Sequence, residues 1–242
     1  MNISLENKSI LVTGGTGALG SCLVEKLLAE KSKVFFTYHQ NIAKAKELEA
    51  KGAISFQVDH GKRDEIRALK EKIKVHAPAL DGLVNNAATL SDKTISKMSL
   101  EEWERVIEVN LTSVFVMTKA LLPILYKSEK AKIINVTSRV ATKGGFGQSN
   151  YAAAKAGLIG FTKSMAREVG RKGICVNAVN PGFMITGMNR DLPPAILESQ
   201  KQESYLGAYS DPDRVADFIL YLLSDRTDMI SGQVFHLDSR NV

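Results

Sequence analysis

Seven short runs rich in β-branched and aromatic residues punctuate the chain: Ser9 to Thr13, Lys33 to Thr37, Ile54 to Val58, Gly82 to Asn85, Lys132 to Thr137, Ile174 to Val179 and Val234 to Leu237. Between them, at about 18 to 30, 41 to 51, 63 to 76, 100 to 127, 150 to 171 and 212 to 224, apolar residues return every three or four positions, the period of a helix with one buried face. Strand alternating with helix from end to end predicts an α/β fold, with βαβ units laying down a parallel sheet. No linker breaks the alternation, which predicts one domain over residues 1–242. The exception is Gly182 to Asp211, with Pro193-Pro194 and Gly207, which reads as an insert. Loops of that length in compact domains tend to be functional, so a substrate lid is expected at about 183–210.

Composition adds little to this but removes alternatives. With 44% apolar and 24% charged residues the chain is an ordinary globular one, not disordered or collagen-like. At 242 residues it can hide about 72% of its unfolded surface, enough for a core without staples. Cys22 and Cys175 are the two cysteines, far apart, with no His/Cys cluster at metal-ligand spacing, so no metal is expected. The start lacks a basic segment leading into an apolar one, and no run reaches about 18 uninterrupted apolar residues. A soluble, cytoplasmic protein is expected. The net charge of +6 favours an anionic partner, but no run of five basic residues marks a nucleic-acid arm.

The first chemistry-bearing segment is Thr13-Gly14-Gly15-Thr16-Gly17-Ala18-Leu19-Gly20, which follows the first strand and opens the first helix. Glycines let the chain turn tightly and approach a ligand, while the helix N-terminus offers N–H groups and a positive dipole end to a pyrophosphate. Gly14, Thr16, Gly17, Leu19 and Gly20 are therefore candidate cofactor residues. At the end of the second strand, Tyr38 and His39 are followed by Gln40 and Asn41, with no carboxylate before Glu47. An acid there suits NAD, so its absence favours NADP(H) over NAD(H).

Tyr151 and Lys155 are four apart at the start of an alanine-rich helix, on one face. A free phenol has a pKa of about 10, and a fixed cation beside it is expected to lower that value. Ser138 ends a strand, where open α/β sheets place ligand groups, and can hydrogen-bond a substrate oxygen.

With these residues in this order, the whole chain resembles the short-chain dehydrogenases/reductases, in particular those that reduce 3-oxoacyl chains on an acyl-carrier protein. Asp59, Asn85-Asn86-Ala87, Asn110, Asn177, Pro181-Gly182 and Thr186 complete the match. The resemblance implies a Rossmann-type doubly wound sheet of seven parallel strands, order 3-2-1-4-5-6-7, with helices on both faces. It implies that Asp59 meets the adenine, that Asn86 and Ala87 lie along the adenine ribose, and that Pro181, Gly182 and Thr186 contact the nicotinamide end. Lys155 would also bind the nicotinamide ribose, and Asn110 would interrupt its helix to hold a water relaying protons to Tyr151. A homotetramer is implied, and Ala152, Ala153, Ala156, Gly157 and Gly160 offer small residues for subunit packing.

Two positions depart from the family pattern. Ala88 stands where relatives have Gly, and would be strained if that position needed a positive φ. Asp238-Ser239-Arg240-Asn241-Val242 replaces the Gly-Gly common near the end. The reaction implied is hydride transfer from NADPH to a 3-oxo carbon, with Tyr151 protonating the alkoxide and Ser138 steadying its oxygen. The run Phe183-Met184-Ile185-Thr186-Gly187-Met188 suits an acyl chain. An acidic acyl-carrier protein would meet Lys127, Lys130, Lys132, Arg171 and Lys172, although Glu129 interrupts that cluster. Another ketone or alcohol substrate, such as a sugar, steroid or small ketone, is the alternative; a non-catalytic dinucleotide sensor fits the intact Ser138, Tyr151, Lys155 and Asn110 poorly.

Overall fold

The computed structural model describes residues 3–187, 189 and 192–240; Met188 of the apolar run and the terminal Asn241-Val242 lie outside the described residues. Seven parallel strands form one sheet in the order β3-β2-β1-β4-β5-β6-β7, as the resemblance implies. They are β1 (Ser9–Val12), β2 (Lys33–Tyr38), β3 (Ile54–Gln57), β4 (Gly82–Asn85), β5 (Lys132–Val136), β6 (Cys175–Asn180) and β7 (Val234–His236). Strand residues point alternately to the two faces, and here both faces are covered. Ile10 and Val12 of β1 enter one apolar cluster with Leu23 and Leu27 of helix α1 (Ala18–Ala29) and Ile219 and Leu223 of α9 (Pro212–Leu223). Leu11 enters the other, with Ile66 and Leu69 of α3 (Arg63–Lys74), Leu121 of α5 (Ser113–Leu125) and Met165 of α7 (Ser149–Val169). Helix α2 (Ile42–Ala50) adds Ala45 and Leu48 to the first cluster.

The helix expected over 100 to 127 is broken. Helix α4 (Leu100–Ile107) opens with a capping box in which Ser99 and Glu102 satisfy each other's backbone N–H. It then runs into a π-helical turn, Glu108–Thr112, before α5 begins. By length and composition Leu100–Leu125 could cross a bilayer, but half of that window is buried within the protein, as in a core helix. The insert contains α8 (Pro194–Gln202), with Pro194 at its first turn, and a short α6 (Val140–Lys143) follows Ser138; neither was expected. Ala88 is not strained, because the non-glycine residues with positive φ are Asn7 and Lys31. Lys132 does not belong to a basic surface: it is 1% exposed and donates to Asp228 Oδ1 at 2.7 Å.

Strand order reverses between β1 and β4, and the crevice outside their carboxyl ends is where such sheets take ligands. Thr13 stitches that point together. Its hydroxyl donates to the Val84 carbonyl at 3.3 Å and accepts from the N–H groups of Asn86 and Ala87 at 2.9 and 3.0 Å.

Candidate active site

A cavity of about 1070 Å³ opens at the carboxyl ends of the strands. Its wall includes Gly14, Thr16, Gly17, Leu19 and Gly20; then Tyr38, His39, Asp59, Asn86 and Ala87; and finally Ser138, Tyr151, Lys155, Pro181, Gly182 and Thr186. Of the residues that the sequence singled out for cofactor or catalysis, Asn85, Asn110 and Asn177 lie off this wall and the others named here share one space.

The glycine turn is a cradle that side chains would fill. Gly14 has φ +67, and its N–H donates to the Thr37 hydroxyl at 3.1 Å. A Cβ on Gly20 would lie 2.2 Å from the Gly14 carbonyl oxygen. Gly17 caps α1 without a side-chain hydrogen bond, and the first turn holds no acid. The first N–H groups of the helix therefore keep their capacity and dipole for an external anion, which fits the pyrophosphate of a dinucleotide.

At the far end, burial pushes against the Asp59 carboxylate, but the Gly61 N–H at 2.9 Å and the charges of His39, Arg105 and Lys62 outweigh it and hold its pKa below the ordinary value. His39 Nε2 stands 3.8 Å from Asp59 Oδ2. Behind them His60, which nothing in the sequence singled out, is pushed down to about 4 by burial and sits 2.9 Å from the Thr37 hydroxyl. That hydroxyl already accepts from Gly14, so its proton is free to go to a neutral imidazole, and His60 props the turn from beneath.

Ser138, Tyr151 and Lys155 converge at the other end. Tyr151 is expected from its neighbour to be an easier acid, and the structure corrects this. Burial of the phenol pushes its pKa up to about 12, Asp92 adds to the rise, and a hydrogen bond from Ser138 opposes it. Lys155 does not offset the rise, because its ammonium donates to the Val136 carbonyl at 2.8 Å and stands 5.6 Å from the phenol ring centroid. A phenol held protonated is the form able to give a proton to an alkoxide. Lys155 itself is pushed down to about 8 by burial.

The buried ammonium has a stability signature. Between pH 8 and 10.5 the unfolded chain binds the Lys155 proton and the folded one does not, so stability rises with pH across that window. Below it, the buried charge costs roughly 3 kcal/mol. Lys155→Met removes that cost and one hydrogen bond worth about 1 kcal/mol. The variant is expected to melt higher than the parent at pH 7 and to lose that advantage above pH 10.5, which melting curves at both pH values check.

Asn110 sits at the centre of the π turn, fully buried and off the cavity wall. Its amide donates to the Thr89 carbonyl and accepts from the Thr89 N–H, both at 2.8 Å, so the side chain fixes the cavity-lining loop that follows β4. Asn177 is likewise structural, holding the Ile230 carbonyl at 2.8 Å and the Gln233 N–H at 3.0 Å. Arg139, Gln200, Glu203 and Arg240 also line the substrate end and were missed, having no spacing signal of their own.

The sequence profile of the short chain dehydrogenases matches residues 8–196. The 3-oxoacyl-[acyl-carrier-protein] reductase FabG of Aquifex aeolicus is 38% identical, with 98% of each chain covered. That of Escherichia coli is 37% identical over 98% of each. Among solved structures, a Pseudomonas aeruginosa RhlG/NADP active-site complex superposes with a TM-score of 0.92 at 28% identity, covering 99% of this chain and 98% of that one. A glycine cradle that fits a pyrophosphate at the switch point of the sheet, a profile match over most of the chain and reductases 37–38% identical along its length leave one conclusion: the chain belongs to the short-chain dehydrogenase/reductase family and is an oxidoreductase using a nicotinamide dinucleotide.

Proposed function

We propose that the protein reduces 3-oxoacyl thioesters carried on an acyl-carrier protein to their 3-hydroxyacyl forms, using NADPH. The observation that carries this reading is the meeting of Ser138, Tyr151 and Lys155 on one cavity wall with the glycine cradle, in a chain whose relatives bear the reductase name. The bound dinucleotide supplies the hydride. The Ser138 hydroxyl positions the ketone oxygen, and the Tyr151 hydroxyl gives its proton to the developing alkoxide. Lys155, anchored on Val136 and lining the same cavity, keeps its remaining donors for the nicotinamide ribose hydroxyls. Asn86 and Thr16 line the path of the dinucleotide, and Pro181, Gly182 and Thr186 back its nicotinamide end. Asn110 acts here as a positioning residue through Thr89.

Preference for NADPH rests on the second strand's end. Lys44 spends its ammonium on Glu25 and Glu47, which leaves Tyr38 and the half-exposed His39 to meet a 2′-phosphate; the strand end itself carries no carboxylate, and the Asp59 carboxylate stands on the other side of His39's ring nitrogen at 3.8 Å. The segment 183–210, including α8, is the lid of one catalytic domain spanning 1–242. The half-exposed Phe115 on α5, edge-to-face with Phe161 on α7, is an apolar face suited to a homotetramer in the cytoplasm.

Oxidation of NADPH and NADH against a panel of 3-oxoacyl thioesters, simple ketones and sugars tests the reading. Fast turnover of the thioesters with NADPH is expected; a preference for NADH, or for sugars over thioesters, overturns it. For the carrier, Arg171 and Lys172 lie at the turn after α7. Reversing both to Glu is expected to slow an acyl-carrier-protein substrate and spare a small soluble thioester, whereas equal rates on both reject docking there.

A further inference from the structure

The substrate end of the cavity holds more charge than a slot for an acyl chain requires. Arg139 and Arg240 both line it, together with Gln200 and Glu203. Their hydrogen bonds divide the two guanidiniums. Arg240, 6% exposed, gives Nε to the two Asp238 oxygens at 2.9 and 3.0 Å and Nη1 to Gln200, so its donors are spent bracing the chain's end against α8. Arg139 donates from Nη2 to Glu203 Oε2 at 2.7 Å, and among the described residues no acceptor meets its Nε or Nη1. Most of a five-donor fork therefore stands unmet, one residue along the chain from Ser138.

Glu203 is a weak holder of that fork. It is the C-cap of α8, where the last carbonyls already concentrate negative charge, and its side chain is 43% exposed. An external carboxylate or phosphate that can engage the fork in bidentate fashion meets neither handicap.

We propose that Arg139 anchors an anionic group on the substrate and that Glu203 is the internal stand-in which that group displaces. This rests on the reductase reading above and narrows its substrate class to 3-oxo thioesters that bring an anionic group to Arg139 when the carbonyl is at Ser138. A phosphate on a pantetheine arm and a carboxylate on the acyl chain present the same chemistry, so the test separates them.

Four thioesters form two matched pairs. One is acetoacetyl-pantetheine with and without its terminal phosphate; the other is a pantetheine thioester of a 3-oxo dicarboxylic acid with its far carboxyl free or methylated. The quantity read is the ratio of kcat/KM within each pair, for the parent, Arg139→Gln, Arg139→Lys and Glu203→Gln, with NADPH as reductant. In the parent the charged member of one pair is expected to win by about tenfold or more, the worth of a charge-assisted hydrogen bond, and that pair identifies the source. Arg139→Gln brings the ratio to near one through KM, Arg139→Lys retains part of it, and Glu203→Gln raises it by freeing the fork. If the pair merely fastens the lid, both members fall together and the ratio is unmoved, which overturns the anchor. Ratios of one in the parent overturn it without any variant having to fold. Failure to turn over all four thioesters, with turnover of simple ketones or sugars, refutes instead the underlying reading and the anchor with it.

Discussion

Tyr151→Phe is expected to cut turnover by about 10²- to 10⁴-fold while leaving NADPH binding intact, the range spanned by losing a positioned general acid. The substitution keeps the ring that fills the site and removes only the hydroxyl. That hydroxyl shares the cavity wall with Ser138, and it is the group held protonated, with its pKa pushed up to about 12. The glycine turn, His39 and Asp59, where the proposed cofactor contacts lie, keep their side chains and backbone in this variant. Fluorescence titration with NADPH and steady-state rates on the same preparation separate the two effects. Parent-like turnover in the variant would mean that the proton comes from elsewhere, and a dinucleotide sensor would show the same indifference.

The second large effect is at Gly20. A Cβ there would lie 2.2 Å from the Gly14 carbonyl oxygen and 2.9 Å from the Gly15 Cα, both backbone atoms that cannot swing aside. Gly20→Ala must open the turn that places the first N–H groups of α1. Stability is expected to fall by about 2 kcal/mol, in the range of overpacked sites, and the dissociation constant for NADPH to rise by about tenfold or more. Gly170→Ala is the control: nothing lies within 4 Å of its Cβ position, its backbone at the end of α7 is helical with φ −57, and alanine there is neutral or mildly stabilising. Melting temperatures and NADPH titrations of the two variants decide whether the cradle or a general intolerance of alanine is responsible.

These two sites also show what could be read from the residues alone. The cradle was legible because its mechanism needs strand, glycines and helix in immediate succession, and Thr13 to Gly20 supplies them locally. The sheet was legible for the same reason, since its strands are contiguous apolar runs with short connections. What escaped notice depended on contacts distant in sequence or on changes too small to alter a pattern. The π turn at Glu108–Thr112 keeps the apolar period of α4 and α5 while widening one turn, and it is Asn110 bonding to Thr89, 21 positions earlier, that marks it. Helix α8 was readable from Pro194 followed by helix-forming residues, but the proline pair and Gly207 argued for an irregular loop.

The pKa of Tyr151 was misjudged because four residues of spacing place the lysine on the right face without saying where its ammonium points. Burial and the Val136 carbonyl decide that, and both come from tertiary packing. His60 and the Arg139–Glu203 pair are likewise products of the assembled fold.

The central claim is that one cavity brings a dinucleotide's reactive ring to the Ser138 and Tyr151 hydroxyls. A crystal structure of the protein with NADPH tests it most directly. The ring is expected against those hydroxyls and the Pro181–Thr186 segment, with the adenosine end beside His39 and Asp59. A dinucleotide bound in the reverse sense, or with its ring out of reach of Tyr151, would contradict the account.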